Sequence, residues 1–296
     1  MERTSEGRAA DVAGLLAAAP PLPRRVVCLT EETTETLYAI GGEELVVGVS
    51  GFTVRPPEAR RKPRISSFLS ADADAILALR PDLVVGFSDL QADVARELIR
   101  RGVPVLVTNQ RSVAEILQTI RLVTAAVGRG EDGARLAERL AAGLGRIADA
   151  AAALPRRPRV FFEEWPDPLI SGIRWVSELL ELCGAEDVCS ETRSSHAAAG
   201  RIRAPEEVAR RAPEAVIASW CGKKARREVI AARPGFAATP AVQDDQLYEV
   251  KSALVLQPGP AALGDGAAAL AAIVAAVARG EKLPPRREGE LRAPPG

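Results

Sequence analysis

Apolar and polar positions in the first half of the chain are grouped into short blocks that predict strands followed by helices. Apolar runs typical of buried strands begin at Val26, Leu45, Leu83 and Val103. A stretch with helical spacing follows each run and ends at glycine or proline. Four such alternations in about a hundred residues are typical of a parallel sheet covered by helices. We therefore predict one Rossmann-like lobe in this half.

A single long helical pattern, residues 131–153, comes next, and the alternation of strands and helices then restarts. About 23 helical residues would extend about 35 Å. The pattern predicts an α/β protein with two Rossmann-like lobes, each with a parallel sheet, joined by one long rigid helix and separated by a ligand cleft. The predicted divisions are an N-terminal lobe at 24–128, a connecting helix at 129–154, a C-terminal lobe at 155–282, and flexible tails at 1–23 and 283–296.

Composition and charge exclude several classes of function. Lys+Arg and Asp+Glu both number 39, which argues against a nucleic-acid partner, because phosphate binding needs an excess of basic residues. No apolar run approaches the roughly 20 residues that span a bilayer. The first strand is not followed by a G-x-G-x-x-G loop, which disfavours a dinucleotide dehydrogenase. Four cysteines without a C-x-x-C pair and a single histidine predict no intrinsic metal.

The first 25 residues do not match a secretory signal. Glu2, Glu6 and Asp11 interrupt the start, and the apolar stretch 12–19 is mostly alanine. We therefore expect a cytoplasmic protein. A periplasmic location reached by an unrecognised route is the alternative.

The loop that follows the predicted strand 215–219 carries the most informative residues. Cys221 lies beside Lys223 and close to a predicted helix start, so its pKa is expected to be lowered. It is a candidate ligand for a soft metal or a candidate nucleophile. Trp220 is a candidate surface for stacking a flat macrocycle. The alternative is a small buried cysteine with solvated lysines.

Carboxylates and an indole follow another predicted strand of the second lobe. Glu163 and Glu164 point to opposite sides of that strand, so one of them is expected to face the cleft. Trp165 comes directly after them and is a candidate wall. In the first lobe, Thr30 and Glu31 lie at a strand-to-helix junction, where Thr30 is a candidate N-cap.

A basic loop, residues 51–68, follows the second predicted strand. Arg55 and its neighbours would attract phosphate or carboxylate groups of a ligand. Phe52 and Phe68 flank the loop and are candidate ligand walls. A solvated loop without a ligand is the alternative.

Three further residues of the second lobe are candidate ligand contacts. His196 lies in a loop of small residues and is a candidate axial ligand for cobalt or iron, against the alternative of an ordinary loop histidine. Lys251 and Gln257 lie in loops predicted to border the cleft. The amide of Gln257 would bind a ligand amide or stabilise its own loop.

Several phrases of the sequence resemble a known family. RVVCLTEETTETLYAIGG (25–42), ILALRPDLVV (76–85) and VARRAPEAVI (208–217) resemble the substrate-binding proteins of ABC importers for vitamin B12 and iron–siderophores, the class with one rigid helix between two lobes. FEEWPDPLISG (162–172), SWCGKK (219–224) and residues 251–260 are similar to a subgroup labelled cobalamin-binding proteins that lack export signals. The resemblance covers residues 24–280.

The resemblance implies a non-catalytic binding protein. Its ligand would be a corrinoid similar to cobalamin, or another large metal-chelate cofactor, held in the cleft. It also implies docking onto an ABC transporter permease through one acidic residue on each lobe, here Asp74 and Glu206 or Glu207. A cytoplasmic compartment would argue against docking, and ordinary solvated acids are the alternative.

Two other functions stay open at this point. One is a cytoplasmic enzyme or cofactor chaperone that uses Cys221 with Lys223 and Glu163. The other is the substrate-binding component of an ABC importer for a siderophore or haem.

Overall fold

The computed structural model describes residues 22–66 and 72–284. The tails predicted as flexible lie almost wholly outside these residues, and so does Phe68. Among the described residues, no helix combines the length and the apolar composition needed to cross a bilayer.

The first half of the chain forms one sheet of five parallel strands. The strands are β1 (Val26–Cys28), β2 (Val46–Ser50), β3 (Arg64–Ser66), β4 (Leu83–Phe87) and β5 (Val105–Thr108), in the order β3-β2-β1-β4-β5. Its helices are α1 (Glu31–Ala39), α2 (Ala73–Ala78), α3 (Ala92–Arg100) and α4 (Val113–Ala126). The order of the strands reverses between β1 and β4, and a crevice opens beyond the carboxyl ends of strands at such a point.

The long helix α5 (Gly130–Ala152) connects the two halves. Its 23 residues extend about 35 Å at 1.5 Å per residue. Gly133 lets it pack closely against α4: a Cβ atom at this position would overlap the Thr124 hydroxyl oxygen and lie 2.7 Å from Thr124 Cβ. The helix predicted at 131–153 thus corresponds to α5, with bounds that differ by one residue at each end.

The second half forms a smaller sheet. Its strands are β6 (Arg159–Pro166), β7 (Leu169–Ser171), β8 (Glu186–Asp187), β9 (Ala215–Ala218) and β10 (Leu247–Glu249). The order is β10-β9-β6-β7, with β8 also paired to β6. Its helices are α6 (Arg174–Leu182), α7 (Pro205–Arg210), α8 (Arg227–Ala231), α9 (Pro240–Gln243), α10 (Ser252–Val255) and α11 (Ala267–Ala278). A π-helical turn, Ala262–Gly266, leads into α11.

The prediction of an α/β fold with two sheets is confirmed, and the structure adds details. β7 pairs antiparallel with β6, whereas the other pairings are parallel. The loop predicted at 51–68 contains the short edge strand β3. The alanine-rich segment 262–278 divides into the π-helical turn and α11.

One apolar core runs through both halves of the molecule. It contains Val26 and Val85 of the first sheet together with Val160 and Ile217 of the second. Residues of α4, α5, α6 and α11 belong to the same cluster. The two sheets are therefore held to each other by burial as well as by the connecting helix.

Candidate ligand-binding cleft

The two halves meet where α1 begins and where residues 257–265 follow α10. Gln257 Nε2 donates a hydrogen bond to Glu31 Oε1 at 3.3 Å, and the Ala261 backbone N–H donates to Glu35 Oε2 at 3.0 Å. Gln110, after β5, donates to the Pro258 carbonyl oxygen at 3.1 Å. These contacts lie beyond the carboxyl ends of β1 and β5, the edge at which parallel sheets bind ligands, and we call the region between them and the carboxyl ends of β6 and β9 the cleft.

Glu31, Glu164 and Cys221 lie near one another in this cleft. Burial raises the pKa of Cys221, and the negative charges of Glu31 and Glu164 raise it further. Burial also raises the pKa of Glu31, whose Oε2 atom has no hydrogen-bond partner among the described residues. One half of the chain therefore contributes an exposed thiol here, and the other contributes a partly buried carboxyl whose Oε2 atom is buried.

The predicted lowering of the Cys221 pKa is wrong. Burial and the charges of two carboxylates raise the pKa of the thiol, and no ammonium group of the described residues is among the causes that act on it. Lys223 Nζ lies over the Trp165 ring instead, 4.4 Å from the ring centroid. A thiol with a raised pKa is a poor nucleophile at neutral pH, so the hypothesis of an enzyme that uses Cys221 as its nucleophile loses its support.

Arg111 is a further cleft residue, and its sequence context gives no sign of this role. Its guanidinium carbon lies 4.9 Å from the centroid of the Phe87 ring, and Nη2 donates to Asn109 Oδ1 at 2.9 Å. Burial lowers its pKa, and the charges of Arg201 and Glu164 act on it from the second half. Arg111 therefore brings positive charge to the cleft from the first half.

Glu164 is held in place by Arg201, whose side chain is only 2% exposed. Arg201 Nη1 and Nη2 donate to Glu164 Oε2 and Oε1 at 2.6 and 3.0 Å, and Nη1 also donates to the Ser171 carbonyl oxygen at 2.6 Å. Such a bidentate pair fixes the carboxylate plane. Of the two adjacent glutamates, Glu164 is thus the one whose charge acts on the cleft.

Glu163 and Trp220 are buried, which corrects their prediction as ligand contacts. Glu163 is fully buried and accepts two hydrogen bonds from Arg233, at 2.5 and 2.6 Å. Trp220 Nε1 donates to Glu163 Oε1 at 2.8 Å, and its ring belongs to an apolar core. Burial raises the pKa of Glu163, while Arg233 and Trp220 act to lower it. The three side chains form a structural unit beneath the cleft edge.

Trp165 is the tryptophan that stays half-exposed at this edge. Its Nε1 donates to the Asp167 carbonyl oxygen at 2.9 Å, and Lys223 covers its ring. Lys251 is exposed at the N-cap of α10. These side chains are accessible to a ligand.

Of the remaining predicted residues, two are bound to other side chains of the protein and two are exposed. Thr30 is buried and makes no side-chain cap, because its hydroxyl donates to Glu32 Oε1 at 2.6 Å. Arg55 is bound to Glu35 and Asp265 at 3.1 and 2.6 Å. Phe52 is 54% exposed, and His196 is exposed between two 3-10 turns.

The acids expected to dock onto a permease are on the surface. Asp74 is 84% exposed in α2 and forms an ion pair with Arg101. Glu206 is exposed in the first turn of α7. Glu207, the alternative, is bound to Arg211 at 2.5 Å.

Comparison with known proteins decides the family. Residues 26–254 match the family profile described as periplasmic binding protein. The chain belongs to the periplasmic binding protein family. The prediction of a non-catalytic binding protein is confirmed by this membership.

Among relatives of this periplasmic binding protein is a vitamin B12-binding protein of Pectobacterium carotovorum, 29% identical over 69% of this chain and 74% of the relative. An uncharacterized ABC transporter substrate-binding lipoprotein of Bacillus subtilis is 25% identical over 80% and 76%.

Solved structures of the same fold are similar to it as well. The periplasmic heme-binding protein RhuT of Roseiflexus sp. RS-1 aligns with a TM-score of 0.74 and 25% identity, over 86% of this chain and 99% of that one. The periplasmic vitamin B12-binding protein BtuF of Vibrio cholerae aligns with a TM-score of 0.70 and 22% identity, over 88% and 99%. The second likeness shows the fold alone.

The prediction of a cytoplasmic location is wrong. The matched family is one of periplasmic binding proteins, and the relatives are described as periplasmic proteins or as a lipoprotein. The argument from location against docking onto a permease falls with it.

Proposed function

We propose that this periplasmic binding protein binds a corrinoid similar to cobalamin in the cleft and delivers it to the permease of an ABC importer. The observation that carries the proposal is the convergence of polar groups from both halves at the carboxyl ends of the strands: Glu31 and Arg111 on one side, Glu164 and Cys221 on the other. A corrin ring carries many amide side chains, which need hydrogen-bond donors and acceptors around an apolar face. The vitamin B12-binding relatives support this ligand class.

Different side chains of the cleft would contact the polar and the apolar parts of such a ligand. The partly exposed Glu31 side chain would accept a hydrogen bond from a ligand amide, and the exposed Lys223 would donate one. Trp165 would give an apolar surface at the edge of the ring. Phe52, Lys251, Gln257 and His196 stay candidate contacts.

Haem is the second candidate, and Cys221 favours it. The thiol is exposed, and cysteine sulfur is an axial ligand of haem iron in other proteins. Arg111 would pair with a haem carboxylate. The likeness to a heme-binding protein at 25% identity supports this candidate.

Absorption spectroscopy distinguishes the two ligands. We expect titration with cyanocobalamin to shift its visible bands, with a micromolar or lower Kd that the Cys221→Ser variant leaves unchanged. If haem is the ligand, the Cys221→Ser variant should shift the Soret band and the Arg111→Gln variant should weaken binding. Arg96→Gln, on the 64% exposed side chain of α3, is the matched control. Absence of micromolar binding to either compound would contradict the proposal.

Delivery to a permease is a separate part of the proposal. Asp74 and Glu206 are exposed carboxylates on the two lobes, as docking would require. We expect Asp74→Arg and Glu206→Arg variants to keep ligand affinity and to lose stimulation of ATP hydrolysis by the partner importer. Unchanged stimulation in both variants would refute docking at these residues.

A further inference from the structure

An acidic cluster on α1 lies against the second half of the chain. Glu31 and Glu35 each accept one hydrogen bond from residues 257–265, at 3.3 and 3.0 Å. Glu32 lies between them and is buried. We call this meeting of Glu31, Glu32 and Glu35 with residues 257–265 the α1 contact.

The two backbones approach closely at Gly259. A Cβ atom at this position would lie 2.5 Å from Glu32 Cβ and 3.1 Å from Glu32 Cα. No side chain larger than hydrogen fits there without a shift of the backbone. The backbone and the first side-chain carbon of Glu32 are therefore in close contact with the chain of the second half.

Only one of the two oxygen atoms of the Glu32 carboxyl accepts a hydrogen bond from the described residues. Oε1 accepts a hydrogen bond from the Thr30 hydroxyl at 2.6 Å, and Oε2 has no partner among the described residues. A buried carboxylate with one hydrogen bond is costly, whereas a protonated carboxyl needs far less solvation. The geometry therefore favours the protonated form of Glu32 as long as the α1 contact is closed.

The charges around Glu32 strengthen this preference. The pKa of Glu32 is raised to about 8, chiefly by burial and also by the charges of Glu31 and Glu35, against the lowering effect of the Thr30 hydrogen bond. The charged and titratable groups around it come from α1, from β1, from the loop after β2 and from residues 257–265: Glu31, Glu35, Cys28, Arg55 and Asp265. Arg55 is already shared by Glu35 and Asp265, and the Cys28 thiol, with a pKa of about 12, stays neutral. Arg55 is thus already paired with two other carboxylates.

We propose that the α1 contact is a proton-dependent latch across the ligand cleft: it is closed while Glu32 carries a proton and loosens when Glu32 ionises. The sign follows from linkage. Glu32 binds its proton more tightly in the closed contact than in water, so closure is favoured at low pH and weakens as the pH rises from about 4.5 to about 8. Above that range no further change is expected. The latch goes beyond the proposed function and is measured without a ligand, so its failure would be distinct from a failure of corrinoid binding.

Amide hydrogen exchange measures the latch directly. In the natural protein, the protection factors of residues 257–265, corrected for intrinsic exchange, should fall by about tenfold or more between pH 6.0 and 8.5. Glu32→Gln keeps a neutral side chain of the same shape and should keep high protection at both pH values. Glu131→Gln removes an equal charge from the 90% exposed side chain on α5 and should behave like the natural protein.

A second variant tests the contact without titration. Gly259→Ala should lower the protection of residues 257–265 at both pH values, because its methyl group separates the two backbones. An equal fall in protection with pH in Glu32→Gln and in the natural protein would overturn the proposal. So would unchanged protection in the natural protein over this range.

Discussion

The buried pair of Glu163 and Arg233 gives the sharpest test of how the cleft edge is supported. We consider replacement of Arg233 by methionine, which keeps much of the packing of the arginine stem. The Glu163 carboxylate would lose hydrogen bonds of 2.5 and 2.6 Å and keep only the bond from Trp220 at 2.8 Å. Its environment has no access to solvent, since Glu163 is 0% exposed.

The expected loss of stability follows from this burial. Removal of one partner from a buried ion pair costs about 3–5 kcal/mol, because the remaining charge is left without compensation. At about 2–4 °C per kcal/mol for a chain of this size, Tm should fall by about 6–20 °C. The double variant Glu163→Gln/Arg233→Met has no buried charge at this position and should recover at least about 2 kcal/mol.

The assay is urea unfolding followed by far-ultraviolet circular dichroism, with the midpoint and the m-value both recorded. A pH series adds a second check. Without Arg233 the pKa of Glu163 rises further above its ordinary value, so the variant should lose more stability at pH 8 than at pH 5.5. A loss below about 1 kcal/mol, or a double variant no more stable than the single one, would refute the reasoning.

Three other predictions concern the fold and the thiols. Gly133→Ala should destabilise the protein by about 1–3 kcal/mol through overlap with Thr124, and the added change Thr124→Ala should restore part of this in thermal melts. Trp175→Phe should cost about 1 kcal/mol in urea unfolding, because the buried indole loses its 2.9 Å hydrogen bond to the Val255 carbonyl oxygen. In alkylation of the native protein, the exposed Cys221 should react first, and the three buried cysteines should react only after unfolding. Because the pKa of Cys221 is raised, its alkylation rate should increase at a higher pH than the rate of a free thiol, whose pKa is about 8.5.

The sequence predicts the fold well because the fold depends on local patterns. Short apolar runs separated by capped helices can hardly form anything other than layered α/β lobes, and the long helix is visible in its own periodicity. The strand β3 was not predicted, since three residues within a basic loop give no periodic signal. The antiparallel β7 was missed for the same reason.

The site was harder to predict because it depends on which side of a strand each residue faces. Alternation separates Glu163 from Glu164, but it does not tell which of them is buried. The answer depends on Arg233, 70 residues further along the chain. Arg111 gave no signal either, because all but five of the 39 basic residues are arginine and one more is not conspicuous.

The shared apolar core has a consequence for how this protein can be changed. Since one cluster contains residues of both sheets and of α5, a separately produced lobe would expose surface that is normally buried, and we expect it to aggregate. Exchange of whole lobes between relatives is therefore a poor route to new specificity. Changes in the turn 167–168 after β6 and in the loop after β9 leave that cluster intact, so we expect the fold to tolerate new specificity there.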